Sequence, residues 1–212
     1  MKKVFLTLAL VASVLTACKN EKKEKVAVNE AVKVTVNVAE LNNVDITASV
    51  LNWKGTKPTG AHNGTVTLKS GGLLIEDSKL TQGEFIVDMN SIKCLDIEDA
   101  EKAGKLVGHL KNADFFDVEV YPTAKFIITN VAENEGKLAV TGNLLIKDVT
   151  KSITIPAMIS TENGITTFTS ETFTINRADF NVKYASKSFF GNLKDKFIDD
   201  LMEISFVVKT KA

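Results

Sequence analysis

The chain has 212 residues, with 26 basic and 26 acidic side chains and a hydrophobic fraction of 44%. Such a balance lacks the strongly basic face that nucleic acid demands, so no nucleic-acid partner is expected. Two cysteines, Cys18 and Cys94, exclude a disulfide-stapled scaffold.

Met1-Lys2-Lys3 is a positive start, and Val4 to Ala17 is an uncharged, mostly apolar run of 14 residues. That run is too short to span a bilayer as a helix and fits the apolar part of a secretory signal. It closes on Leu15-Thr16-Ala17-Cys18, which resembles the lipobox of bacterial lipoprotein precursors. The resemblance implies cleavage before Cys18 and a diacylglycerol thioether on its sulfur; two chains suffice for stable anchoring without a membrane span. Removing residues 1–17 takes away Lys2 and Lys3 and no acid, leaving 24 basic against 26 acidic residues. With Cys18 lipidated, Cys94 has no partner and reads as a small buried apolar residue. Residues 18–40 then comprise the lipidated cysteine and a tether, of which Lys19 to Lys25 is charged and without an apolar face. Residues 41–212 form the folded domain.

From about residue 32 the texture turns to short alternating stretches separated by Gly, Asn and Asp, the signal of β-strands. These are 32–38, 45–55, 64–71, 83–91, 124–131, 137–148, 152–159, 164–175 and 202–210. In 137–148, Leu138, Val140, Leu144 and Ile146 share one face with Gly142, and Lys137, Thr141, Asn143 and Lys147 the other. One stretch differs: in 97–110, Ala103, Leu106, Val107 and Leu110 recur at helical spacing, with Asp96 or Asp99 as the capping residue. A second short helical or irregular piece is expected near 189–200. Many strands around one helical excursion predict an all-β, mainly antiparallel barrel or sandwich. A closed barrel of about eight strands holds either packed side chains or one small ligand. Twelve phenylalanines against one tryptophan and two tyrosines suit a dry interior, whether filled or hollow.

Metal chemistry has little support: His62 and His109 lie 47 positions apart, with no cysteine or carboxylate at ligand spacing. No phosphate loop, nucleophile elbow or paired-cysteine motif is present, so no catalytic residue and no cofactor are assigned. His109 suits the negative end of a helix dipole, and His62 the ordering of a turn-rich loop. Arg177 is the sole arginine, which calls for a fixed partner or a ligand headgroup.

Four blocks, "WKGTKPTGAHNGTVTLKSG" (53–71), "GEFIVDMNSIKCLD" (83–96), "GHLKNADFFDVEVYPTAKF" (108–126) and "TGNLLIKDVTKSITIPA" (141–157), together resemble the YceI-like family of polyisoprenoid-binding, lipocalin-like β-barrels. The resemblance runs from about residue 42 to the end. It implies an extended lipocalin-like barrel with a helical excursion near 97–112, whose apolar channel holds a polyisoprenoid, quinone-like or fatty-acyl chain. Some members are joined to cytochrome b-type membrane modules, which hints at quinone handling. The block at 108–126 would follow the helix and place Phe115 and Phe116 at the cavity, with Asp114 and Asp117 where it meets water.

Candidate wall residues, chosen by strand position and apolar character, are Trp53, Phe85, Val87, Met89, Phe126, Ile128, Leu144, Ile146, Phe173, Ile175 and Phe206, with Phe190 closing the other side. His109, Asp114 and Arg177 are the candidate mouth. The expected protein is lipid-anchored in the bacterial cell envelope, on the outer membrane facing the periplasm or surface-exposed, sequestering or ferrying a lipid. Two rivals remain: a ligand-free structural module with a filled barrel, and an enzyme acting on a lipid headgroup through His109 and Asp114. The oligomeric state is not legible.

Overall fold

The computed structural model describes residues 24–33, 41–134 and 136–211. The signal-like run, Cys18 and residues 19–23 lie outside the described residues, as do residues 34–38 of the expected first strand; Val32 and Lys33 are not in a strand.

Eight antiparallel strands close into a barrel: β3 (Val44–Lys57), β4 (Gly60–Glu76), β5 (Lys79–Cys94), β6 (Thr123–Asn134), β7 (Lys137–Ile146), β8 (Val149–Glu162), β9 (Ile165–Thr169) and β11 (Leu201–Thr210). Each of these pairs with its sequence neighbour from β3 to β9, while β11 pairs with both β9 and β3 and completes the ring. Closure satisfies the edge N–H and C=O groups that an open sheet leaves exposed. Period-2 alternation dictates what faces inward. Along β5, Phe85, Val87 and Met89 are buried while their neighbours Glu84, Ile86 and Asp88 are half-buried. Register shifts between Thr65 and Thr67, Leu68 and Ser70, and Leu74 and Ile75 mark bulges in the β4–β5 pair, which coil these two long strands around the core.

Helix α1 (Ala100–Lys111) follows β5. Asp99 is its cap, with Oδ1 accepting from the Lys102 N–H at 2.9 Å. Asp96, the other candidate cap, instead accepts from the His62 ring and from the Asn63 N–H.

Three short strands lie outside the ring, and they correct the reading of the tether. Strand β1 (Glu24–Lys25) runs parallel to β10 (Phe173–Asn176), and β2 (Val28–Glu30) runs antiparallel to β8 at Lys151–Ile153. Val26, between them, is 4% exposed and belongs to the core. Residues 24–30 are thus a strand segment that pairs with β10 at one end and β8 at the other. A charged composition is read as a solvated tether because two apolar residues, Val26 and Val28, are too few to show a period.

The expected strand 164–175 is two strands. Ser170 sits at the break, where its N–H donates to the Phe206 carbonyl and its Oγ accepts from the Phe206 N–H, each at 3.1 Å. The side chain keeps a ladder contact while the backbone turns. Residues 189–200 contain turns and no helix; the extra helical piece is a 3-10 turn at Arg177–Phe180.

Candidate functional site

Inside the barrel is a cavity of about 200 Å³. An apolar cavity of ~150 Å³ already holds a benzene-sized guest and stays dry, so this interior is not filled. Alternate residues of β11, from Met202 through Ile204 and Phe206 to Val208, all line it, so it extends along roughly 20 Å of strand. It is an elongated, apolar-lined cavity.

Of the residues predicted for the wall, Trp53, Phe85, Val87, Met89, Phe115, Phe116, Phe126, Leu144, Ile146, Phe173, Ile175 and Phe206 all line this one cavity. Two do not. Ile128 points inward and is 2% exposed, but it packs in the solid part of the core, where its Cδ1 lies against Gly83. Phe190 is 50% exposed, on a loop beyond the barrel end.

The sequence did not single out a number of other lining residues, among them Leu68, Ile153, Ile155, Phe168, Ile204 and Val208. Phe168 was recoverable only with knowledge of the break after β9. On one unbroken strand with Phe173 and Ile175 inward, residue 168 would face out; the break at 170–172 changes the phase and brings it in. Its ring then stacks on Phe85, centroids 5.8 Å apart, and tilts against Phe206 at 4.9 Å.

Two glycines position wall rings by what they lack. A Cβ on Gly64 would lie 2.7 Å from the Trp53 ring, and one on Gly142 only 2.4 Å from the Phe126 ring. Each aromatic therefore packs close against a bare backbone on the neighbouring strand. Trp53 Nε1 is buried with no hydrogen-bond partner among the described residues.

One end of the channel is closed by the 108–126 block. Phe115 is buried and Phe116 half-buried, their rings edge to face at 5.1 Å. The turn is held by N–H donation from Phe115 and Asp117 to the Asn112 carbonyl, and by Lys147 Nζ donating to the Phe115 carbonyl at 3.2 Å. The pair is both core and cavity wall, and Asp114 stands exposed beside it.

The predicted mouth is only partly assembled. His109 does not line the cavity; it wedges between Phe115 and Tyr184, ring centroids 5.9 and 4.6 Å away. Its Nε2 is buried without a hydrogen bond to any described residue, 3.9 Å from Asp114 Oδ2, beyond hydrogen-bond reach. Arg177 reaches the lining but is 1% exposed and committed to structure. Its Nη1 donates to the Val182 carbonyl at 2.6 Å, Nη2 to Ile198 at 2.9 Å and Nε to Asp199 at 3.1 Å. Burial lowers its pKa from the usual guanidinium value, opposed by Asp200 and Asp199. Arg177 thus pins together the two ends of the 182–199 segment beside the cavity instead of offering a free headgroup site. The other polar residues on the lining, Lys54 and Asp199, gather at this same end.

Elsewhere, His62 lies within β4, not in a loop, and with Asp96 ties β4 to the chain after β5. Cys94 is half-exposed rather than buried, and its Sγ donates to Asp96 at 3.3 Å. Among the described residues, no group of three or more His, Cys, Asp or Glu is placed to hold a metal ion, and no helix is long and apolar enough to cross a membrane.

Residues 42–210 match the YceI-like domain, and the chain belongs to that family. A UPF0312 protein of Pseudomonas putida strain F1 is 40% identical over 81 residues, 35% of this chain and 42% of the relative. A UPF0312 protein of Shewanella denitrificans is 34% identical over 88 residues, 41% of this chain and 44% of the relative. The matched stretches thus span less than half of those curated relatives. Among solved structures, BcnA of Burkholderia cenocepacia superposes with a TM-score of 0.64 at 23% identity, covering 80% of this chain and 100% of BcnA. A polyisoprenoid binding domain from Saccharophagus degradans, implicated in plant cell wall breakdown, gives 0.62 at 20% identity, covering 82% and 99%. At these identities the likeness is one of fold.

Proposed function

We propose that this protein is an envelope lipid-binding protein that encloses one polyisoprenoid, quinone-like or fatty-acyl chain in its barrel, for sequestration or transport, without bond-making chemistry. The carrying observation is the elongated, apolar-lined cavity of about 200 Å³. Each buried CH₂ contributes about 0.8 kcal/mol gross, so one five-carbon isoprene unit contributes roughly 4 kcal/mol before ordering costs. A few units therefore bind tightly without a charged contact.

Polyisoprenoid binding by a domain of the same fold supports this ligand class. The unpaired Trp53 indole N–H favours a chain that carries a hydrogen-bond acceptor, such as a carbonyl or hydroxyl oxygen. The separation of His109 from Asp114 and their place outside the lining favour binding over headgroup chemistry. Anchoring through a lipidated Cys18, on the outer membrane facing the periplasm, completes the reading and rests on the motif Leu15-Thr16-Ala17-Cys18.

Trp53 is the only tryptophan and stands in the cavity wall, so its emission reports occupancy. Titration with a prenol or prenylquinone is expected to shift or quench that emission saturably; Trp53→Phe, which has no tryptophan and is followed by native mass spectrometry instead, is expected to retain acceptor-bearing chains less well than plain hydrocarbons. An emission unchanged by prenols, prenylquinones and fatty acids alike contradicts the proposal.

A further inference from the structure

The segment after the 3-10 turn contains a surface loop that the channel does not absorb. Residues 185–198 leave and return at one point, where the Ile198 N–H donates to the Ala185 carbonyl at 2.9 Å. Such compact loops with joined ends often carry function. Its base is stapled to the barrel: the Asp199 N–H donates to the Thr56 carbonyl, and Thr56 Oγ1 donates to Asp199 Oδ2 at 2.6 Å. Ile198 and Asp199 at that base line the cavity.

The outer part of the loop exposes two adjacent rings, Phe189 and Phe190, each 50% accessible. A pair of half-exposed phenylalanines on a built loop is an apolar surface that calls for a partner. Charge on its outer part is basic. Between residues 183 and 197 stand Lys183, Lys187, Lys194 and Lys196 against Asp195, while Asp199 and Asp200 at the base are engaged by Thr56, Ser188 and Arg177. Lys183 Nζ lies 4.6 Å from the Phe189 ring centroid and Lys187 Nζ 3.3 Å from that of Phe197. The left-handed backbone at Ala185, Asn192 and Lys194 folds the loop back on itself, so rings and ammonium groups share one short stretch.

From this arrangement we infer that the 185–198 loop docks on an anionic bilayer surface. Phe189 and Phe190 enter the headgroup–acyl boundary, and the four lysines lie against lipid phosphates. Basic side chains and exposed aromatic residues together are the chemistry of interfacial binding. An acidic protein surface offers the charge but no apolar layer for two rings. The inference rests on the lipid-binding reading, and it gives the loop a purpose within it: the polar end of the channel is set down on the membrane that supplies or receives the chain.

The test is amide hydrogen exchange on the full-length protein reconstituted in vesicles of phosphatidylcholine alone or mixed with phosphatidylglycerol, with prenol occupancy measured in parallel by native mass spectrometry. Slower exchange of residues 186–198 in the anionic vesicles only is expected. That protection should be lost in F189S/F190S and in K194E/K196E. Each lysine near an anionic surface is worth roughly a fivefold change in affinity, so K194E/K196E is expected to weaken loop docking by about 25-fold or more. Occupancy should be unchanged in both variants, because neither pair lines the cavity. Equal exchange in the two vesicle types, or protection that survives both double substitutions, overturns the inference while leaving lipid binding standing. Absent prenol occupancy in the unaltered protein removes the reading beneath it.

Discussion

The Asn143 side chain grips the Val32 backbone from both sides, although the two residues are 111 positions apart: Nδ2 donates to the Val32 carbonyl at 2.6 Å, and Oδ1 accepts from the Val32 N–H at 3.0 Å. An amide side chain on β7 thereby imitates a strand partner and holds the segment that follows β2. With Val26 buried, the Val26 N–H on the Thr174 carbonyl, and Glu30 paired to Lys151, residues 24–32 are fixed against the barrel. Asn143→Ala removes both bonds and is expected to cost about 1–3 kcal/mol. The loss should be local, seen as faster amide exchange of Val26 and Val28 with little change on β5. Unaltered exchange at those two amides would show that the strand pairings and Val26 hold the segment without Asn143.

Gly142 is the floor under Phe126. A Cβ there meets the ring at 2.4 Å and the Ile127 carbonyl oxygen at 2.6 Å, so Gly142→Ala pushes the ring into the channel. A stability loss of about 1–3 kcal/mol is expected from overpacking, together with weaker lipid binding in the Trp53 titration. Thermal unfolding and that titration check the two parts separately.

Arg177 joins three carbonyls and Asp200 at the polar end of the channel. Arg177→Met strands Asp200 and three acceptors, for an expected loss of about 3–5 kcal/mol in urea unfolding. Arg177→Lys keeps the charge but not the fork, and should fall between the two. Full stability in Arg177→Met would mean that the carbonyls find other donors.

The Asp96 carboxyl is held at about 2: burial raises its pKa, but hydrogen bonds from the Asn63 N–H, His62 and Cys94 outweigh that. A depressed folded-state pKa contributes stability above the unfolded value of 3.8 and loses it as pH falls toward 2. Asp96→Asn should therefore be less stable than the unaltered chain at pH 7, by about 1 kcal/mol for so accessible a group. The gap should close progressively between pH 4 and pH 2. A gap of constant size across that range contradicts the assignment.

Much of the barrel was legible because burial on one face imposes period 2. Val140 and Ile146 on β7, and Phe85, Val87 and Met89 on β5, declare their side without any partner in view. The helix is equally legible from its spacing, although Asp96 and Asp99 look alike until the partners of Asp96 are known. Long-range pairing is not written in local pattern. Nothing near Val26 reveals Thr174, and nothing near Asn143 reveals Val32. The phase change between β9 and β10 hides Phe168, and Phe190 reads as wall because a phenylalanine pair looks the same in a core and on a loop. Arg177 announces itself as a sole arginine, but its carbonyl partners come from a loop closed only in three dimensions.

The most direct test of the account is native mass spectrometry of the full-length protein purified from bacterial envelopes in mild detergent, beside a Val87→Phe variant that fills the channel. The account predicts a discrete non-covalent adduct on the unaltered protein, released by organic solvent and having the mass of a prenyl or acyl lipid. It predicts that Val87→Phe stays folded and loses that adduct. A protein that carries no adduct, and remains bare after incubation with prenols, quinones and fatty acids, would contradict it.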